Sequence, residues 1–274
     1  LLSFVRWQIG LRLIRSSLLV DWVNEARFIV KRGERGLTGN LYCGFMDFED
    51  MCFLLHYLRD TDNFFDIGAN VGAYTILASG VVRANSFAFE PLPDTFDRLV
   101  DQININRISD LVVLENKGVG EKAGVLEFTN QFNCMNRVNK DPNNKNVTSV
   151  DVVSLDQFHT PIKPTAVKID VEGYEYYVLE GGHEFFSNNF VKMVIIEMNG
   201  SGAQFGIQDD VLDKKLRSYG FFPVSYDPVN RSVEFISCYN KGGNTIYLKD
   251  IYDASLRCSK ADVVLVHTAR GTRI

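Results

Sequence analysis

The chain has 274 residues, 46% hydrophobic and 23% charged, with a formal net charge of −5. That length holds one large α/β domain with an extension and leaves no room for a second catalytic domain. The acidic balance, without a dense Lys/Arg cluster, argues against a nucleic-acid backbone as the main partner.

Residues 1–38 are predicted to form a helical extension. Phe4, Trp7, Leu11, Ile14, Leu18 and Trp22 recur at helical spacing and would form one apolar stripe. Arg6, Arg12 and Arg15 interrupt it, so no run is long enough to span a bilayer. The stripe predicts packing on the core or on a second subunit, the oligomeric state being open. The alternative is an interfacial helix that holds residues 1–23 at a membrane surface. No cleavable secretion signal is evident, and the expected location is cytoplasmic, with peripheral membrane contact as the alternative.

Residues 39–250 read as one domain. Phe64-Phe65-Asp66-Ile67 is a short apolar run ending near a carboxylate, followed by Gly68-Ala69-Asn70-Val71-Gly72 and a helix-compatible segment. This is a strand, a tight loop and a helix start, with glycines where backbone must approach a ligand. Ser86–Glu90, Thr165–Asp170 and Met193–Glu197 repeat the pattern of an apolar run ending in an acid. They predict buried parallel strands in a doubly wound sheet, with the ligand outside the strand carboxyl ends. Asp66, Glu90, Asp170 and Glu197 would then rim one crevice. Four carboxylates suit a ligand carrying sulfonium and ammonium better than a pyrophosphate, which favours S-adenosylmethionine over NAD. Glu90 stands about twenty residues past the loop, the spacing of a dinucleotide fold's ribose acid. Asp66 before the loop, and Asn70 in place of a close-approach glycine, weigh against NAD.

Gly124–Phe128 and Val147–Val153 are predicted as an antiparallel insertion pair. Between them lies an Asn-rich loop, either a surface excursion or a lid that presents Asn136 and Arg137 to an acceptor. Residues 251–274 form a C-terminal segment expected to pack on the core. The scattered cysteines Cys43, Cys52, Cys134, Cys238 and Cys258 contain no C-x-x-C pair and predict neither a disulfide framework nor a zinc site.

Three segments resemble the FkbM-type methyltransferases, a branch of the class I S-adenosylmethionine-dependent enzymes. They are Asp66–Thr75, then Phe89-Glu90-Pro91-Leu92-Pro93 with Asn104-Ile105-Asn106, then Lys168–Glu175 with Leu179-Glu180-Gly181. The similarity runs from about Gly36 to about Lys249 and includes Asn199-Gly200-Ser201-Gly202. It implies a Rossmann-like class I fold, methyl transfer to an oxygen, and a carbohydrate hydroxyl as acceptor. Expected cofactor contacts are Asp66, Gly68, Ala69, Asn70, Gly72, Tyr74, Thr75, Glu90 and Pro91. By analogy Lys117 and Gly118 pass beside the adenine, and Asn199 joins Asn136 and Arg137 on the substrate side.

Glu90 is assigned to the ribose diol and Asp66 to the methionine amino end, with loop stabilisation as the alternative for Asp66. Asp170 is the expected base for an acceptor hydroxyl, because the first and fourth strands should meet at the switch point. Glu172 and Glu197 could share that task, and a divalent metal on Asp170 and Glu197 is the alternative way to activate the hydroxyl. His56, His159, His183 and His267 are poorly placed for catalysis, with His183 the rival base. Two other readings stay open: a non-catalytic module that binds adenosylmethionine, and a nicotinamide oxidoreductase.

Overall fold

The computed structural model describes residues 17–31, 37–130, 136–160, 162–267 and 272–274. A hairpin of β1 (Leu18–Asp21) and β2 (Arg27–Val30) comes first. Helices α1 (Thr38–Cys43) and α2 (Phe48–Tyr57) lead into β3 (Asn63–Ile67). A short helix α3 (Ala73–Thr75) runs on as a π-helix over Ile76–Val81, followed by β4 (Asn85–Phe89), α4 (Pro93–Asn106) and β5 (Val112–Glu115). An insertion of β6 (Gly118–Val119), β7 (Gly124–Thr129) and β8 (Val147–Val153) forms a separate small sheet. Then come β9 (Ala166–Ile169), α5 (Glu175–Glu180), α6 (His183–Ser187), β10 (Met193–Met198) and α7 (Asp209–Ser218). The chain closes with β11 (Phe222–Asp227), β12 (Ser232–Phe235), β13 (Gly243–Leu248), α8 (Ile251–Ser259) and the short pair β14 (Leu265–Val266) and β15 (Thr272–Arg273).

The main sheet has the order β12-β11-β13-β10-β9-β3-β4-β5. Its β10, β9, β3, β4 and β5 are parallel, and β13 is inserted antiparallel beside β10. The chain winds outward from β3 to β5 and then returns to place β9 on the other side of β3, so the predicted switch point lies between β3 and β9.

Strand alternation sorts side chains between the two buried faces. Phe64, Ala166, Met193 and Ile195 join the core under α2, whereas Phe65, Val167, Val194 and Ile196 join the core under α5 to α7. The same alternation assigns Asp66, Lys168 and Glu197 to the α2 face, at the ends of adjacent strands. The predicted insertion pair forms as β7 and β8, antiparallel over Gly124–Thr129 and Val147–Val153. Helix α8 buries Ala254 and Cys258, and its Arg257 Nη1 meets Asp62 Oδ2 at 2.7 Å.

The N-terminal expectation needs correction where the chain is described. Leu18 lies in strand β1, and Asn24 makes the hairpin turn at φ 48°. Trp22 stacks on Phe28 with ring centroids 4.1 Å apart and donates its indole N–H to Gly44 O at 2.6 Å. The helical periodicity misled because Leu18-Leu19-Val20 and Phe28-Ile29-Val30 find cross-strand partners, and pairing overrides a weak local preference. Phe4, Trp7, Leu11 and Ile14 lie outside the described residues, as does most of the segment invoked for membrane contact. Among the described residues, no helix is long and apolar enough to cross a membrane.

The switch point is packed to contact. Gly68 has φ +83°, and a Cβ added there would fall 1.8 Å from the carbonyl oxygen of Asp170. Gly68→Ala should therefore cost more than about 2 kcal/mol, from a positive φ combined with backbone overlap. The check is the midpoint of urea unfolding, and an unchanged midpoint would show that the two strand ends can move apart freely.

Candidate active site

The glycine loop is held by backbone geometry and one acid. Gly68 and Ala69 donate to Phe89 O at 3.0 and 2.9 Å, which ties the loop to the end of β4. Glu90 follows Phe89 and uses both oxygens: Oε2 accepts from Asn70 N–H and Oε1 from Leu92 N–H, each at 3.0 Å. Asn70, at φ 51°, turns its Oδ1 onto Val71 N–H at 2.8 Å. Burial pushes the Glu90 carboxyl up to about 7, against the pull of those two N–H groups.

Asp66 is buried beneath the loop, its Oδ2 accepting from Thr75 Oγ1 at 2.6 Å, and burial raises its carboxyl to about 6. That hydrogen bond joins the end of β3 to the helix after the loop. Asp66 also borders the crevice.

On β9, Lys168 is 1% exposed, with Nζ 3.0 Å from Asp170 Oδ2 and 3.2 Å from Asn244 Oδ1. It also lies over the Tyr74 ring, 5.3 Å from the centroid. Burial opposes its charge, but Asp170, Glu197 and Asp47 outweigh that penalty and raise its pKa. Glu175 is buried and its Oε1 accepts from Val171 and Gly173 N–H, both at 3.1 Å. That clamp shapes a turn in which Glu172 takes φ 55°, a left-handed conformation rare for glutamate and of the kind concentrated at functional sites. Burial, then the charge of Asp170, raises Glu172 to about 7 and pushes Glu197 well up. Glu197 Oε2 is buried without a hydrogen-bond partner among the described residues.

These groups border one crevice of about 390 Å³ over the ends of β3, β4, β9 and β10, a size in the range of small-molecule sites. Its lining includes Asp66, Gly68, Ala69, Asn70, Tyr74, Glu90, Pro91, Lys117, Gly118, Asn136, Asp170, Glu172 and Glu197 among the residues singled out from sequence. Gly72, Thr75, Arg137 and Asn199 do not line it. Gly72 is the left-handed residue before α3, Thr75 bonds Asp66, Arg137 is exposed, and Asn199 Oδ1 accepts from Ser201 N–H at 2.8 Å. His183 is exposed against Tyr219, and His56 is buried with Nδ1 2.6 Å from Tyr226 Oη, so neither lines the crevice.

Sequence reasoning missed a second wall. Asn40 enters from α1, Met46 and Asp47 from the link between α1 and α2, Met51 from α2, and Gly242, Gly243 and Asn244 from the start of β13. Tyr74 Oη donates to Asp47 Oδ2 at 3.0 Å and lies 3.5 Å from Asn244 Nδ2. Lys168 was the readable omission, because a lysine two places before Asp170 in a buried strand shares its face.

Among the described residues six carboxylates line the crevice, Asp47, Asp66, Glu90, Asp170, Glu172 and Glu197, against Lys117 and Lys168. Each lysine is already paired, Lys117 with Glu115 at 2.7 Å and Lys168 with Asp170. The lining fits a cationic adenosyl ligand and is a poor match to a pyrophosphate. One oxygen each from Asp170, Glu172 and Glu197 lies within 4.8 Å of the others, close enough to hold one cation between them.

Residues 66–223 match the model of the Methyltransferase FkbM domain. The hexuronic acid methyltransferase AglP of Haloferax volcanii is 33% identical over 150 residues, which is 53% of this chain but only 59% of that protein's length. Among solved structures, M. jannaschii TYW2 in complex with AdoMet aligns over 86% of both chains at 11% identity and TM-score 0.48. Precorrin-6y C5,15-methyltransferase of Geobacter metallireducens aligns over 80% of this chain and 92% of its own at 13% identity and TM-score 0.43. Likeness at that level carries no inference about chemistry. The domain match spans more than half of the sequence and contains both the glycine loop and the three converging carboxylates, and the chain belongs to the FkbM methyltransferase domain family.

Proposed function

We propose that the chain is an S-adenosylmethionine-dependent O-methyltransferase that acts on a hydroxyl of a carbohydrate. The observation that carries the reading is the convergence of Asp170, Glu172 and Glu197 within 4.8 Å, beside a glycine loop held by Glu90. A carboxyl-rich, cation-poor crevice suits both a cationic cofactor and an acceptor that must give up a proton. The sugar class draws on the relative named as a hexuronic acid methyltransferase.

In this reading Gly68, Ala69 and Asn70 offer close backbone, Glu90 receives the ribose hydroxyls, and Pro91, Lys117 and Gly118 flank the adenine. When bound, S-adenosylmethionine supplies a methyl group on a sulfonium, an electrophile that needs no further activation. Asp170 accepts the acceptor's hydroxyl proton, and Lys168 holds that carboxylate in place with its buried ammonium. Glu172 and Glu197, both held above the usual carboxylate range, keep the neighbourhood from accumulating three full negative charges. The same three oxygens support a second reading in which they hold a divalent cation that lowers the hydroxyl pKa.

Ligand linkage tests the cofactor. S-adenosylmethionine or S-adenosylhomocysteine should raise the melting temperature of the protein, and NAD should not. Glu90→Ala should largely abolish the shift, through loss of both the ribose contact and the two N–H bonds that shape the loop. Equal shifts in wild type and variant would remove the cofactor assignment.

The shift should also depend on pH. Ribose hydroxyls and a cationic ligand favour ionised Glu90 and Asp66, so affinity should rise from pH 6 to pH 8 as carboxyls raised to about 7 and about 6 lose their protons. The unliganded protein should trend the other way. A carboxyl whose folded pKa is raised contributes stability present below its unfolded value of 4.5 and lost as pH rises through about 7. Isothermal titration and thermal melts across that window measure both trends, and affinity that falls with rising pH contradicts the assignment.

Asp170→Asn retains shape and removes the charge. Cofactor binding should stay within several-fold of wild type while turnover on an authentic acceptor drops at least about a hundredfold, the scale of a lost general base. Loss of wild-type activity with chelator, and its return with a divalent ion, would recast Asp170 as a metal ligand. Normal turnover by the variant would move the base elsewhere.

A further inference from the structure

The crevice has two walls of different origin. The glycine loop and the acids at the ends of β3, β4, β9 and β10 fall within residues 66–223, the stretch matched by the family domain. Asn40 and Asp47 come from the segment ahead of that stretch, yet both line the same crevice. Asn40 is 2% exposed. Its Oδ1 accepts from Met46 N–H at 2.8 Å, and its amide N–H2 is the donor it can offer to the crevice it lines. Asp47 accepts from Tyr74 Oη through Oδ2 and retains the other lone pairs of its carboxylate for a ligand.

Two contacts place this pair: Met46 N–H bonds Asn40 Oδ1 and Tyr74 Oη bonds Asp47 Oδ2, while Met46 Sδ lies close over Gly39 of α1. Tyr74, Asn244 and Lys168 then link Asp47 to Asp170 across the crevice floor. A buried amide donor and a carboxylate acceptor on one wall form the complement of a hydroxyl, which accepts through oxygen and donates through hydrogen.

We propose that Asn40 and Asp47 are the acceptor-recognition pair, reading a ring hydroxyl next to the one that is methylated: Asn40 Nδ2 donates to its oxygen and Asp47 accepts its proton in a hydrogen bond. The substrate class is then a sugar with a vicinal diol. The assignment rests on the sugar O-methyltransferase reading, with the cofactor left to Glu90 and the glycine loop.

The test uses methyl glycopyranosides of common hexoses, deoxyhexoses and hexuronic acids, with tritiated methyl transfer from S-adenosylmethionine as readout. For a glycoside that wild type methylates, each single-deoxy analogue is compared in wild type, Asn40→Asp and Asp47→Asn. Asn40→Asp retains the oxygen for Met46 N–H and removes the donor, and Asp47→Asn retains an oxygen for Tyr74. Wild type should lose at least about a hundredfold in kcat/KM when the neighbouring hydroxyl is deleted, because a polar site is left unpaired. The variants should lose less than about fivefold on that same deletion, since the partner is already gone. Equal losses in wild type and variants overturn the proposal. So does a variant whose S-adenosylhomocysteine-induced thermal shift is lost, which would place the pair in cofactor binding. If wild type gains that thermal shift but methylates no glycoside, the sugar reading itself fails and the pair's role falls with it.

Discussion

The contact on which the site depends is the one between the loop after β3 and the end of β9. At Gly68 the two backbones are so close that a methyl group would overlap the Asp170 carbonyl, and Asp170 N–H in turn donates to Ile67 O at 2.9 Å. Because neither strand end can shift without the other, the glycine loop and Asp170 are held in fixed register. Glu90 extends the constraint to β4 by bonding backbone N–H groups on both sides of the crevice rim. The carboxylate proposed to receive the ribose is therefore also the clasp of the loop, so deleting its side chain also frees the Asn70 and Leu92 N–H groups.

Desolvation governs the electrostatics. Asp66, Glu90, Glu172, Glu175 and Glu197 are all raised, with burial as the leading cause in every case. Lys168 is the buried cation among them and holds its charge because three carboxylates surround it. Acids raised toward neutrality and gathered in one crevice are the pattern that marks functional sites. The left-handed backbone at Glu172, maintained by Glu175, adds a local strain that the surrounding turn sustains.

Several features were legible in the sequence because they are local. Apolar runs ending in acids marked the buried strands, and positive-φ positions at Gly68, Asn70 and Gly72 matched the residue types that tolerate them. The acids at strand ends share the crevice because parallel strands place equivalent ends together. The helical reading of Leu18 and Trp22 failed because a two-stranded pairing, which no periodicity test sees, competes with it. Gly72 and Thr75 belong to the motif but act one layer behind the crevice, as a turn and as the partner of Asp66.

By itself, then, the sequence determined the doubly wound class, the glycine loop, the acid rim and the family, since each is written in contiguous residues whose backbone demands are short-range. Only the tertiary structure decided what faces those acids. Asn40, Asp47 and Asn244 carry no local motif, and Asp47 and Asn244 meet Tyr74 across 27 and 170 residues of chain. Their placement follows from how α1, α2 and β13 pack on the sheet, a sum of distributed apolar contacts that no short window of sequence encodes.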